Sequence, residues 1–297
     1  MKAKHVIIYL LLVIVTSSCI RDEAPNAEAD ILSCRLPGIT MTTSPIINNN
    51  SVTLFVTPGT NISALAPEFT LTSGATITPA SGTERNFNSP QEYQVTAADG
   101  IWKKTYAISV IDTELATIYN FEDTISGKKY YIFVERENDK VIMEWASGNA
   151  GYAMTGVAKT ADDYPTFQIA NGKNGKCLSL VTRSTGFFGG LVGMPIAAGN
   201  LFIGSFDVNN AMSNPLQATK FGLPFRHVPT YLAGYYKYKA GDQFTEGGKP
   251  VEGKRDICDI YAIMYETSVS VPTLDGTNAF TSPNLVSMAP VSYTHLT

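Results

Sequence analysis

At 297 residues, 44% apolar and 16% charged, the chain carries enough apolar sequence for two ordinary domains and too little charge for a disordered one. A net charge of -4 supplies no basic surface for a phosphate backbone, which argues against nucleic acid as a partner. Plentiful Gly, Thr, Ser, Asn, Tyr and Phe, with no long Leu/Glu/Lys/Ala run, favour strands and turns.

Residues 1–19 have the order of a lipoprotein signal peptide. Lys2 and Lys4 are followed by the apolar run Val6 to Val15, by small Thr16, Ser17 and Ser18, and then by Cys19. The apolar run is about half the ~20 residues that cross a bilayer, so an anchor helix is the poorer reading. Cys19 is then the lipidation site, with the membrane reached through that anchor only. Ile20-Arg21-Asp22-Glu23 resembles the acidic surface address of Bacteroides-type lipoproteins, and residues 20–29 read as a tether. Cys34, Cys177 and Cys258 remain, without CxxC spacing; one disulfide is conceivable and sequence does not pair it, while buried free thiols are the simpler reading.

Residues 30–112 carry short alternating runs (Val52-Leu54-Val56, Tyr93-Val95, Tyr106-Ile108-Val110) separated by Pro, Gly and Asn clusters. Two strands flank Ala98-Asp99-Gly100, a strong hairpin turn because Asp and Gly tolerate positive φ. Trp102, just after that turn, is expected to pack across the hairpin. The pattern predicts a small β-sandwich. The stretch SGATITPASGTERNFNSPQEYQVTAADGIWKKTYAISV resembles the immunoglobulin-like spacer modules of bacterial surface lipoproteins, which implies that type of sandwich and a spacer role.

Asp112 to Leu115 forms a junction, and from there to residue 290 aromatic density rises. Strands are expected at Lys129–Glu135, Val141–Trp145, Leu178–Thr182, Leu201–Phe206, Lys220–Phe225, Tyr231–Tyr238 and Asp256–Tyr265, with a turn at Asn138-Asp139-Lys140. Seven or more strands without a clear amphipathic helix predict a larger jelly-roll β-sandwich, so the fold class is all-β.

Histidine use narrows the chemistry. His5 lies in the leader and His295 in the last residues, leaving His227 in an apparent loop. A His-based zinc site needs two or three, and no G-x-S-x-G surrounds a serine. Gly189 to Gly193 has neither the lysine nor the helix of a phosphate cradle, and a tight β-turn is expected there. Carboxylates are harder to dismiss, because a glycosidase needs only two facing groups. Glu122, Glu135, Glu144, Asp207, Asp256, Asp259 and Glu266 sit on or beside expected strands, and any pair must form between strands.

Sugar binding asks for an aromatic ring against the C–H face of a pyranose and polar side chains for its hydroxyls. Trp145 with Asn149 and Tyr152 meets that demand at short range. Arg183, beside Gly186-Phe187-Phe188-Gly189, is a second candidate, and Tyr231, Tyr235, Tyr236 and Tyr238 form a third; core packing is the competing role for each. Asp207-Val208-Asn209-Asn210 offers oxygen ligands for a structural Ca²⁺, or else an Asx turn; no other cofactor is expected.

The blocks EWASGNAGYAMTG, DYPT, LVTRSTG, GMPIAAGNLFIGSF, ATKFGLPF, GYYKYKAG and DICDIYAIMYE, in this order over Tyr119 to Glu266, resemble the carbohydrate-metabolism domain family of Bacteroides-type surface lipoproteins. The resemblance implies a jelly-roll akin to carbohydrate-binding modules, and with it a role in glycan binding or cleavage; it brings no catalytic residues. The expected partner is an oligosaccharide or polysaccharide, with other surface glycan-uptake proteins as further candidates. A glycoside hydrolase and a purely adhesive surface protein are the rival readings. After Glu266 the family pattern stops in a Ser/Thr/Pro-rich stretch, so a late strand is expected to be missing, and residues 291–297 read as a foreign tail. Such a gap would expose a sheet edge.

Overall fold

The structure, a computed structural model, describes residues 26–268 and 270–291. The leader, Cys19 and all but the first residue of the tail lie outside the described residues. Both modules are built from strands, and the all-β expectation holds.

The first module contains β1 (Ile31–Arg35), β2 (Ile46–Ile47), β3 (Ser51–Phe55), β4 (Glu68–Leu71), β5 (Thr76–Thr78), β6 (Gln91–Thr96) and β7 (Lys103–Ile111). Strands β2-β3-β7-β6-β5 make one sheet, with β3 and β7 parallel, and β1-β4 make another. Alternation explains the layering: Val52, Leu54, Tyr93, Val95, Tyr106, Ile108 and Val110 point inward and are nearly solvent-free. Each such side chain contributes roughly 1.5–3 kcal/mol by leaving water. Asp30 accepts from the Tyr106 hydroxyl and pairs with Lys104, which holds its carboxyl below the usual range. At the Asp99-Gly100 turn the Asp99 carboxylate accepts from the backbone of Ile101 and Trp102. The turn forms as expected, but Trp102 does not pack across it: the indole is 63% exposed. The core under this hairpin is already filled by Tyr93, Val95 and Tyr106, which leaves no site for a second large ring.

The second module begins with β8 (Val134–Glu137) and β9 (Lys140–Ala146), joined by Asn138 and Asp139, both at positive φ. That is the backbone a two-residue hairpin turn demands. There follow α1 (Asn149–Tyr152), β10 (Thr166–Ile169), β11 (Cys177–Leu180), β12 (Arg183–Ser184), α2 (Gly186–Leu191), β13 (Ile196–Ala197), β14 (Phe202–Phe206), α3 (Pro215–Ala218) and β15 (Thr219–Phe221). The chain ends with β16 (Thr245–Glu246), β17 (Lys249–Pro250), β18 (Tyr261–Tyr265), β19 (Leu274–Asp275) and β20 (Leu285–Pro290). One five-stranded antiparallel sheet, β19-β15-β14-β9-β8, is the centre of this module. Around it lie the two-stranded ribbons β10-β11, β12-β13, β16-β17 and β18-β20.

Further expectations need correction. The strand expected at Lys129–Glu135 starts only at Val134, as β8. Gly186 to Leu191 is a short helix, not a turn within a strand pair. Tyr231 to Tyr238 joins no ladder, because rings on both sides of the run face solvent and no apolar face exists to dock. The stretch after Glu266 does supply late strands: Leu274, 1% exposed, seats β19 on β15, and β20 pairs with β18. Cys34, Cys177 and Cys258 are free thiols, and burial pushes Cys34 up to about 12.

Candidate functional site

Trp145 closes β9, and strand register decides its company. Glu135 pairs with Met143, Ile203 with Trp145, Ser205 with Lys220, and Lys220 with Asp275. Because faces alternate every residue, Glu135, Trp145, Ile203, Ser205, Lys220 and Asp275 share one face of the central sheet. The Trp145 indole Nε1–H donates to Glu135 Oε1 at 2.8 Å, fixing the ring. Tyr119 meets the ring edge-on at 5.0 Å and Phe121 is tilted against it at 5.4 Å. Trp145 remains part-exposed, so a fixed ring borders solvent with a carboxylate at its edge.

Phe121 reaches this position at φ 57, a costly conformation for a bulky residue and one that recurs at functional sites. Gln168 holds it there by donating to the carbonyls of Phe121 and Glu122 at 2.7 and 2.9 Å. Glu122 is spent on structure, its carboxylate accepting from the Lys176 N–H at 2.9 Å. Gly175 is required beside it: a Cβ there would stand 2.2 Å from Glu122 Oε1, on a backbone at φ +72.

Burial raises the Glu135 carboxyl above its ordinary range and the charge of Asp123 raises it further, while the Trp145 N–H opposes both. Tyr119 is raised by burial and by Glu135. Asp123, Glu135, Tyr119 and Trp145 thus form one electrostatically coupled group. Glu144 stands apart: it pairs with Val134 and so points to the other face, with burial raising it and Lys128 opposing. Glu135 and Glu144 are therefore not a facing pair.

The other sites expected from sequence are placed differently. Asn149 is fully buried; its amide donates to the Thr166 carbonyl at 2.7 Å and accepts from the Thr166 N–H at 3.1 Å. That clamp ties the loop after β9 to β10 and leaves the amide nothing for a ligand. Tyr152 is 5% exposed, its hydroxyl donating to the Ser184 carbonyl, and burial raises it. Arg183 lies beside it, donating to the Asp162 carbonyl at 3.1 Å with its guanidinium over Phe167. The structure thus brings Tyr152 and Arg183 together, but inside the module rather than next to Trp145's open ring. Asp207 forms an Asx turn, accepting from Asn209 N at 3.0 Å and Asn210 Nδ2 at 2.7 Å. Among the described residues no group of three His, Cys, Asp or Glu is placed to hold a metal. Each Asp207 carboxylate oxygen accepts one hydrogen bond within the turn, so a Ca²⁺ there would have to compete with those donors. Tyr236 is part-exposed in the loop where Tyr231 is 82% and Tyr235 80% exposed. His227 sits at the junction between the modules, its Nε2 2.9 Å from Glu114 Oε2.

Sequence reasoning missed Asp123 and gave Tyr119 and Phe121 no role. The adjacent run Tyr119-Asn120-Phe121-Glu122-Asp123 was the available signal, but only the fold brings it against Trp145.

Residues 120–296 match the family described as "Putative carbohydrate metabolism domain", and residues 31–110 match "SGBP, N-terminal". No curated protein matches the chain. A crystal structure described as a putative glycoside hydrolase from Bacteroides thetaiotaomicron is 83% identical, with a TM-score of 0.88. The alignment covers 93% of this chain and 81% of that one. A second, so described from Bacteroides vulgatus, is 47% identical with a TM-score of 0.55, over 60% of this chain and 72% of that one. The family match spans more than half of the sequence and the first relative is aligned over most of both chains, so this protein belongs to the carbohydrate-metabolism domain family and carries an SGBP-type N-terminal module.

Proposed function

We propose that the protein is a surface lipoprotein, anchored through Cys19, that binds glycan on the central sheet of its second module with Trp145 as the stacking platform. The carrying observation is the part-exposed Trp145 ring, locked by its bond to Glu135, a carboxylate whose proton affinity the charge of Asp123 also raises. A pyranose stacked on a fixed ring loses little of its binding free energy to side-chain ordering, and charged acceptors orient its hydroxyls. The SGBP-type match of the first module supports a place at the cell surface. Isothermal titration of the full chain against a polysaccharide panel tests the reading. Trp145→Ala should weaken the best ligand at least tenfold, about 1.4 kcal/mol; unchanged affinity refutes the platform.

A second reading is favoured by one observation. Glu135 is raised while an adjacent Asp123 repels it, the electrostatic signature of a glycosidase acid with its partner carboxylate. Both relatives described above as putative glycoside hydrolases are in keeping with it. Sugar release that disappears in Glu135→Gln while binding persists would establish hydrolysis; no release from any bound glycan leaves a binding protein.

A further inference from the structure

The acidic chain hides a basic region. Twenty-six acidic residues face 22 basic ones overall, yet between Asp163 and Asp242 the only carboxylate is Asp207. Seven cations lie in that interval: Lys173, Lys176, Arg183, Lys220, Arg226, Lys237 and Lys239. Lys220 pairs with Asp275, and Arg183 is spent on the Asp162 carbonyl. Lys173, Lys176, Lys237 and Lys239 are all exposed and make no ion pair among the described residues.

Folding brings the two segments that carry these four into contact, through Lys173 and Tyr235. Lys173 and Lys176 flank a tight turn closed by the Gly172 N–H donating to the Gly175 carbonyl. Lys237 and Lys239 alternate with Tyr236 and Tyr238 in the loop that sequence reasoning takes for a strand. The Lys173 ammonium stands 3.2 Å from the centre of the Tyr235 ring, so the turn lies directly against that loop. Tyr231 and Tyr235 present their rings to solvent. Glu122 is engaged by the Lys176 N–H, and Asp256 acts on Tyr238 from the following loop.

We propose that this surface, where the turn at 171–176 meets the loop at 231–239, is a second saccharide subsite selective for polyanionic glycans, chains bearing carboxylate or sulfate groups. Rings and ammonium groups alternate here, which is what such a chain requires. Tyrosine faces take the apolar side of the sugar rings while lysines neutralise charges that recur along the polymer. Uncharged glycans gain nothing from the lysines, whose hydration they would disturb without compensation. The inference rests on the glycan-binding reading above and adds the class of glycan to it.

The test is affinity electrophoresis and isothermal titration of the full chain with polygalacturonate, heparin and chondroitin sulfate against neutral dextran, starch and xylan, at two salt concentrations. Anionic chains should bind more tightly than neutral ones and lose affinity steeply as salt rises. A Lys173→Ala/Lys237→Ala/Lys239→Ala variant should lose at least tenfold in affinity for anionic chains and keep its affinity for neutral ones. Tyr235→Ala, which leaves every lysine in place, should also weaken the anionic chains. All these side chains are exposed, so the fold survives the changes. Neutral glycans bound as tightly as anionic ones would overturn this inference and leave the Trp145 reading standing. Anionic binding untouched by the lysine variant, or equal retention of a single-stranded oligonucleotide, would also overturn it. No glycan binding of either kind would overturn both.

Discussion

At the scale of single residues, the proposed platform rests on one hydrogen bond. Trp145 Nε1–H is satisfied by Glu135, so the ring stays oriented with part of its surface open. Trp145→Phe keeps a ring and loses the donor, leaving Glu135 among apolar groups without its partner; glycan affinity should fall less than in Trp145→Ala, and titration calorimetry of both variants checks the order. The raised Glu135 carboxyl has a signed consequence for stability. The folded state holds that proton better than the unfolded one, so ionised Glu135 costs stability above its folded value. The cost fades as pH falls toward the ordinary carboxylate range. Urea unfolding across pH 4 to 7 should therefore show a component absent from Glu135→Gln; parallel pH curves would contradict the assignment. Asp30 has the opposite sign: lowered by Lys104, it contributes stability at neutral pH that is lost as pH falls through its folded value. Asn149 supplies the control. Asn149→Ala strands the N–H and the carbonyl of Thr166, costing about 1–3 kcal/mol for each group left unpaired in the interior. The melting temperature should drop while glycan affinity of the folded fraction holds; lost affinity with unchanged melting would make Asn149 a ligand residue instead.

Elements were legible in the sequence where one apolar face packs and illegible where pairing alone decides. β9 could be read from Val141-Ile142-Met143-Glu144-Trp145, and β6 and β7 from their strict alternation around Asp99-Gly100. The Tyr231–Tyr238 run alternates just as well, yet no buried partner face answers it, and alternation of rings with lysines creates a loop surface rather than a strand. Gly186 to Leu191 hides its helix because glycine has poor helical propensity, and the turn between β12 and β13 imposes it. Two-residue β19 has no periodicity to read; it exists because Leu274 and Lys220–Asp275 complete the sheet edge. The candidate site was half visible. Trp145 and Glu135 lie on readable strands, whereas Asp123, Tyr119 and Phe121 come from a loop whose position depends on Gln168 far along the chain. The first module's core is the most readable part, and Ile108, with no exposed surface, reports its strength. Ile108→Ala should cost about 2–5 kcal/mol in urea unfolding, and a loss well under 1 kcal/mol would contradict the packing described.

Across the whole molecule, the modules are joined by polar contacts at the Asp112–Leu115 junction. Lys140 at the start of β9 pairs with Asp112 at 2.6 Å, and His227 meets Glu114. These contacts tie the start of the strand that carries Trp145 to the end of the first module. The proposed anchor is tested at this scale too: Cys19→Ala should release the protein from the membrane fraction, and undiminished membrane retention would refute lipidation at Cys19. The most direct test of the account uses the fact that the chain has only two tryptophans, Trp102 and Trp145. Their indole N–H signals form a two-line spectrum by heteronuclear NMR, and a bound oligosaccharide should move the Trp145 line while Trp102, in the β6–β7 hairpin of the first module, stays in place. A saturating glycan that leaves the Trp145 line unmoved would contradict the proposed site.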